Sequence, residues 1–421
     1  MNFLFLYPKI VMGGVETLMA RMSKWLTENG HEVSILCRSI TSEMYDIYSD
    51  DVCIATCNAF ERLEYKSQNY VKKLVAGITN RPVDVVVPFN PKSICGAVSI
   101  AQSLPDPCRL VTGVFGNNWY CNYSLMSIIQ NPANLVFHEM LCSKSRMYMN
   151  KILQRRIEET SNRKVPGEIW PLPVDGQRFM EITRKPERGK IVSVNRLGYM
   201  KEFHIGMIDV VKNLVDEGNN VKWLVYGDGK YREAMGKKIS HLGLKNNIRL
   251  MGNIDYEKMH CVLEDAWLFI GMGTAIIEAS YAKIPSIAVI PYTETPTTYG
   301  YFHELPEFNV GEKLDCEPKD FFSLVKETLS ANNETYEELG RSCFERAGIF
   351  NLEARMGEFM RNLKNIEPCR WKTKITLKYY IALVSRALLS FIMLPTRIPH
   401  SIKAGFISLG LYPKNLKMKT V

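Results

Sequence analysis

The chain has no run of about 18 uninterrupted apolar residues, so nothing in it reads as a membrane-spanning helix. Paired cysteines are also missing. The 11 thiols are odd in number and scattered without a CxxC pair, which excludes a disulfide framework and a zinc ribbon. Cys53 and Cys57 alone have the spacing of metal ligands, and no second pair accompanies them, so reduced thiols and no metal are expected. The opening residues, MNFLFLYPKI, lack a basic n-region, and Pro8 cuts the apolar run, so no secretion signal is read and a cytoplasmic location is expected. Acids are scarce in one place. From Glu367 to Val421 about ten Lys and Arg stand against one acid. That imbalance accounts for the whole net charge of +9 and leaves the remainder near neutral. No nucleic-acid recognition motif accompanies the excess, and no nucleic-acid partner is expected.

What is present is a chain of 421 residues, 46% hydrophobic, long enough for two or three domains with ordinary cores. NFLFLYP reads as a buried strand, and GGVETLMARMSKWLTENGHEVSILC as a glycine turn, an amphipathic helix ending at Gly30 and a second strand. Strand, helix and strand in this order build a parallel sheet. DVVVPF, RLVTGVF and NLVFHEM repeat the short apolar strands, giving a first domain over 1–173. IWPLPVDGQRF concentrates prolines and a glycine as a linker does. A second series follows over 174–349, with KIVSVNRL, NVKWLVYGDG, NIRLMGNI, AWLFIGM and IPSIAVI as strands. The expected fold class is therefore α/β, with two Rossmann-like doubly wound domains facing a cleft at the carboxyl ends of their strands. A helix within 350–366 is expected to complete the first domain. Over 367–421, RWKTKITLKYYIALVSRALLSFIMLP interleaves cations and aromatics with aliphatic residues, as a basic amphipathic extension at an anionic membrane surface would; a helix packed on the first domain is the other reading.

Chemistry is expected at the strand-to-helix turns. Gly13 and Gly14 open the first helix, where small residues let a phosphate approach backbone amides and the positive end of the helix dipole. SVNRLGYMKEF places Arg196 and Lys201 just after a strand, where two cations can neutralise a diphosphate as it leaves. Gly227, Asp228 and Gly229 form another such junction, and an ordinary cap explains Asp228 equally well. In IGMGTAIIEASYAKIP the turn at Gly271 and Gly273 leads into a helix starting near Thr274. Glu278 lies one turn in, where a carboxylate can accept both vicinal hydroxyls of a ribose.

Together, GGVE followed by ENGHEV, Arg196 and Lys201 in RLGYMK, YGDG, and GMGTAIIEASYAKIPSI resemble the retaining nucleotide-sugar glycosyltransferases of the GT-B fold, glycosyltransferase family 4, over roughly Met1 to Asn362. The resemblance implies a nucleotide diphosphate sugar donor with no metal. It places Gly13 and Gly14 near the sugar-phosphates, Arg196 and Lys201 as the catalytic cations on the diphosphate, Gly227, Gly273 and Thr274 in the nucleotide-sugar site, and Glu278 on the ribose. It further implies a saccharide or lipid-linked acceptor in bacterial surface polysaccharide assembly, at the inner face of the cell membrane. Two positions depart from the pattern. The first acid of the Glu-x7-Glu motif falls at Ile270, and Gly116, Asn117 and Asn118 stand where the family often has a histidine; His138 is read as a packed histidine. A non-catalytic nucleotide-sugar-binding scaffold and a GT-B epimerase or phosphorylase remain the competing expectations.

Overall fold

A computed structural model describes residues 1–392 apart from Ser49, Asn117 and Ile375. The basic extension beyond residue 392 lies outside the described residues, as does Asn117.

The first lobe holds β1 (Asn2–Ile10), β2 (Glu32–Ile40), β3 (Val52–Thr56), β4 (Val85–Pro88) and β5 (Arg109–Leu110) in one parallel sheet, ordered β3-β2-β1-β4-β5. Phe3 pairs with Val33 on one side and Val85 on the other, so β1 is central, and Phe3 to Leu6 are fully buried on both faces. Central parallel strands read as continuous apolar runs for this reason. Beside this sheet lies a second, three-stranded one of β6 (Thr112–Val114), β7 (Arg146–Tyr148) and β8 (Glu168–Ile169). RLVTGVF, expected as one strand, is thus divided between two sheets. NLVFHEM is not a strand. Ala133–Leu135 is helical and Val136–Met140 continues it as a π-turn. The buried guanidinium of Arg146 receives the free carbonyls at its end, donating to Phe137 O at 2.7 Å, His138 O at 3.2 Å and Leu141 O at 2.7 Å. An apolar run of this length has no period that separates strand from buried helix, and the Arg146 guanidinium, five to nine residues further on, satisfies the carbonyls that the helical outcome leaves free.

The second lobe has β9 (Lys190–Val194), β10 (Lys222–Tyr226), β11 (Ile248–Gly252), β12 (Leu268–Gly271), β13 (Ser286–Val289) and β14 (Thr298–Tyr301), ordered β11-β10-β9-β12-β13-β14. All pairings are parallel except β13 with β14, an antiparallel edge strand that the sequence patterning did not reveal. In each sheet the order reverses beside one strand, β1 in the first and β9 in the second. Ligands of open α/β sheets bind at such switch points.

After the second lobe the chain crosses back. Helix Leu352–Lys364 seats Phe359 against Phe3 and Trp170, at ring separations of 6.4 and 5.1 Å, while Trp25 Nε1 donates to Glu353 Oε2 at 2.7 Å. Helix Leu377–Ile392 then lies on the first lobe. It buries Tyr379, Ala382 and Leu383, and it is tied by Lys378 Nζ to Glu139 at 2.6 Å and by Arg386 to Glu64 at 3.4 Å. The packed reading describes this helix, while its opposite face leaves Leu377, Tyr380, Ile381, Val384 and Leu388 exposed. Among the described residues no helix is long and apolar enough to cross a membrane.

Candidate active site

Helix Gly14–Glu28 forms because Leu18, Met19, Met22, Trp25 and Leu26 recur at i, i+3, i+4 spacing and face the sheet. It stops at Gly30, whose left-handed φ of +75° lets His31 N reach back to Leu26 O at 2.9 Å. No side chain caps its start. The Gly13 backbone there is extended, so the glycine provides space rather than a special backbone conformation. A Cβ would come within 2.6 Å of Glu16 Oε2 and 2.8 Å of Arg196 Nη2. The second of those atoms belongs to the opposite lobe. Gly14 faces the same way, with the Thr274 hydroxyl 4.0 Å from where its Cβ would sit.

Arg196 owes its position to two glycines on the neighbouring turn. Gly227 and Gly229 have φ of +132° and +148°, and a Cβ on either would overlap the carbonyl oxygen of Asn195 or Leu197. This close approach locks the end of β9 onto the end of β10 and aims Arg196 across the cleft. Gly227 N already donates to Gly252 O at 2.7 Å, so its contribution is to backbone packing. Lys201 is half-buried beside Arg196, with Nζ donating to Asn195 Oδ1. Burial first, and the Arg196 charge second, lower its pKa from 10.5 to about 7.

β12 ends at Gly271, and helix Thr274–Tyr281 begins three residues later, with Gly273 at φ +72° as its uncapped N-cap. Gly273 N is held by Val310 O at 2.8 Å, while Gly273, Thr274 and Ala275 are half-exposed toward the cleft. Ile270 lies inside β12, fully buried, and its carbonyl accepts from Ser193 Oγ at 2.7 Å. The departure there is more than a changed side chain, because the strand passes directly into the glycine turn and leaves no loop on which an acid could stand.

Glu278 faces the cleft but is not open to it. Its Oε1 accepts from Arg21 Nη1 at 3.2 Å and from the Tyr256 hydroxyl at 3.0 Å, and Arg21 Nη1 also donates to Tyr256 at 2.9 Å. Arg21 comes from the first lobe. The two side chains are 6% and 2% exposed, so this is a buried ion pair joining the lobes. Burial raises the Glu278 pKa, and the charges of Arg21 and Arg178 offset only part of that rise. Arg21 Nε and Nη2 and Arg178 Nη2 are buried without a partner, an unusual set of orphaned donors around one carboxylate. Arg178 also lies over the Tyr256 ring at 4.0 Å. Next to Arg196 in the first lobe stands the buried Glu16, whose pKa burial raises while a backbone bond and the Arg196 charge counter it.

The structure thus gathers Gly13, Gly14, Arg196, Lys201, Gly273, Thr274 and Glu278 at the ends of β1, β9 and β12. His138 lies elsewhere and is packed, with Nε2 on Tyr120 O at 2.8 Å and burial lowering its pKa to about 4. Arg21, Tyr256, Arg178 and Glu16 are members that sequence reasoning missed. Only Glu16 had a signal, as the acid that closes GGVE.

This is the GT-B architecture. Residues 176–295, which include Arg196, Lys201, Gly227, Gly273, Thr274 and Glu278, match the family model described as Glycosyl transferases group 1. The chain is 34% identical over 87 residues to the 2-deoxystreptamine N-acetyl-D-glucosaminyltransferase of Niallia circulans, a stretch covering 19% of this chain and 22% of that protein. Its fold is similar to Anabaena Alr3699/HepE in complex with UDP and glucose, with TM-score 0.64, 15% identity, and coverage of 87% of this chain and 100% of that one. A Rickettsia africae glycosyltransferase superimposes at TM-score 0.66 with 16% identity over 86% of this chain and 98% of its own. S. aureus TarM, solved with Fondaparinux, alpha-GlcNAc-glycerol and UDP, superimposes at TM-score 0.62 with 12% identity over 86% and 99%.

Proposed function

We propose that this protein transfers a sugar from a nucleotide diphosphate sugar to a saccharide acceptor with retention of configuration. One observation carries the reading. Gly13 and Gly14 of one lobe face Arg196 and Thr274 of the other, so two uncapped helix starts and a guanidinium converge on one space beside Lys201. A diphosphate in that space meets positive charge from both lobes. The family model over the second lobe and the UDP bound by structural neighbours support it.

In the proposed step the bond from the anomeric carbon to the diphosphate breaks as the acceptor oxygen bonds to that carbon on the same face. The departing phosphate oxygen takes the acceptor's proton. Arg196, Lys201 and the amides from Thr274 onward hold the charge that develops on the leaving group, so the reading calls for no metal. The ribose falls to Glu278, with Arg21 Nε and Nη2 and Arg178 Nη2 as donors in need of partners. Arg196→Ala and Lys201→Ala are each expected to slow transfer at least tenfold. Near-normal turnover in both variants would defeat these roles. Donor identity follows from thermal shifts with a panel of nucleotide sugars, since a ligand at about 100 times its Kd adds roughly 2.7 kcal/mol of stability.

The second reading is a scaffold that binds nucleotide sugar without turnover, favoured by the absence of any loop acid at the Gly271–Gly273 turn. Nucleotide binding with no transfer across a broad acceptor panel would select it. We further propose that the acceptor is lipid-linked and belongs to surface polysaccharide assembly at the inner face of the cell membrane. The apolar stripe on Leu377–Ile392, next to the basic segment that follows, supports this.

A further inference from the structure

A cavity of about 340 Å³ has Tyr292 in its wall, and through Tyr292 it adjoins Tyr199 and Met200 of the Arg196 to Lys201 loop. Its walls come from both lobes. Arg156 lies on helix Lys151–Ser161 of the first lobe, and Tyr292, Thr293, Thr297, Tyr299 and Lys313 come from the second. No carboxylate lines it, and the acids of the adjoining turn, Asp315 and Glu317, are not among its walls. The Arg156 side chain and the backbone that carries Lys313 are both held. Arg156 Nη2 donates to Asn118 Oδ1 at 3.2 Å, and the Tyr299 hydroxyl bonds both ends of Leu314, to its carbonyl at 2.9 Å and from its amide at 3.1 Å, which fixes the turn carrying Lys313.

The wall shared with the Arg196 to Lys201 loop is backbone held under strain. Tyr292 and Met200 have φ of +66° and +74°, a region that bulky residues rarely enter, and Tyr292 N points at Met200 O at 3.4 Å. The result is a pair of aromatic rings, Tyr199 and Tyr292, edge to face at 5.3 Å and open to solvent. Tyr292 in the wall of a largely apolar cavity, with Tyr199 beside it, makes a surface on which a sugar ring can stack while hydroxyls meet Thr293 and Thr297.

We infer that this cavity is the acceptor subsite, and that it takes a saccharide bearing a negative group, a phosphate or a carboxylate, held by Arg156 and Lys313 with the sugar ring against Tyr292 and Tyr199. The inference rests on the transfer reading, since a donor in the Arg196 and Lys201 site leaves this neighbouring space for the second substrate.

The test uses the full chain saturated with UDP, so that the donor site is filled, and follows binding of glucose 1-phosphate, glucuronic acid and methyl glucoside by calorimetry. The two anionic probes are expected to bind at least fivefold tighter than the neutral one, and their ranking separates phosphate from carboxylate as the natural group. Arg156→Ala and Lys313→Glu should each weaken anionic probes at least fivefold, and Tyr292→Ala should weaken all three, with UDP affinity changed less than twofold. Arg156 and Lys313 are partly or fully exposed, so their variants are expected to fold, and an unchanged melting temperature verifies it. Equal binding of charged and neutral probes, no binding of any probe, or retained binding in Arg156→Ala and Lys313→Glu would overturn the assignment. Loss of probe binding in Arg196→Ala instead would place the probes in the donor site and overturn it too. Failure of UDP to bind while the probes bind as described would sink the donor reading and overturn the acceptor role with it, leaving only a site for anionic saccharides.

Discussion

At the scale of single residues, Lys201 is the group whose chemistry is most exposed to test. A half-buried ammonium beside a guanidinium loses its proton early, and here the pKa falls to about 7. The sign follows directly. Between pH 7 and the ordinary lysine range the unfolded chain binds the extra proton, so this residue costs stability at low pH and the cost disappears as pH rises. Donor binding runs the other way, because only the charged form attracts a diphosphate. If binding requires that form, affinity for a nucleotide diphosphate sugar is expected to fall about tenfold from pH 6 to pH 8, as the charged fraction falls. The sugar diphosphate itself keeps its charge over this range. Calorimetric titration at several pH values checks this, and Lys201→Ala should flatten the profile. A steep profile that survives in Lys201→Ala would assign the titration to another group.

Elements carry the next level of meaning. The strand-to-helix turns at Gly13, Arg196 and Gly273 were legible in the sequence because each couples an apolar strand to a glycine or cation at a fixed short offset, and local sterics suffice to place them. The helix Leu377–Ile392 was legible as amphipathic, yet its docking was not, since Tyr379, Ala382 and Leu383 are buried by residues more than 200 positions away along the chain. Truncation of this segment would uncover the first lobe, so point changes on the outer face are the sharper probe of membrane attachment. Ile381→Glu and Val384→Glu alter exposed positions and are expected to leave the melting temperature within about 0.5 kcal/mol equivalent of the parent. Each is expected to reduce cosedimentation with vesicles of phosphatidylglycerol and phosphatidylethanolamine at least threefold. Vesicle binding equal to the parent in the double variant would remove this helix from the membrane proposal.

For the whole molecule, the question is what the contact between lobes is for. Arg21 and Glu278 are 257 residues apart, and nothing local marks Arg21 as anything but one more cation on an amphipathic helix, which is why the sequence concealed it. The same distance makes the pair informative. Two charges removed from water pay a desolvation cost that their attraction only partly repays, so a buried pair across the cleft is weak evidence of stability. If the ribose replaces Arg21 at Glu278, nucleotide should uncouple the two. Arg21→Met and Glu278→Gln are each expected to destabilise the empty protein by about 3 kcal/mol, with the double variant losing much less than the sum. Repeating the cycle in saturating UDP should shrink the coupling to less than half, because Glu278 then bonds the ribose. Unfolding curves of the four proteins, with and without UDP, measure both numbers. A coupling that nucleotide leaves unchanged would confine Glu278 to holding the lobes together, and the ribose would need a different acid.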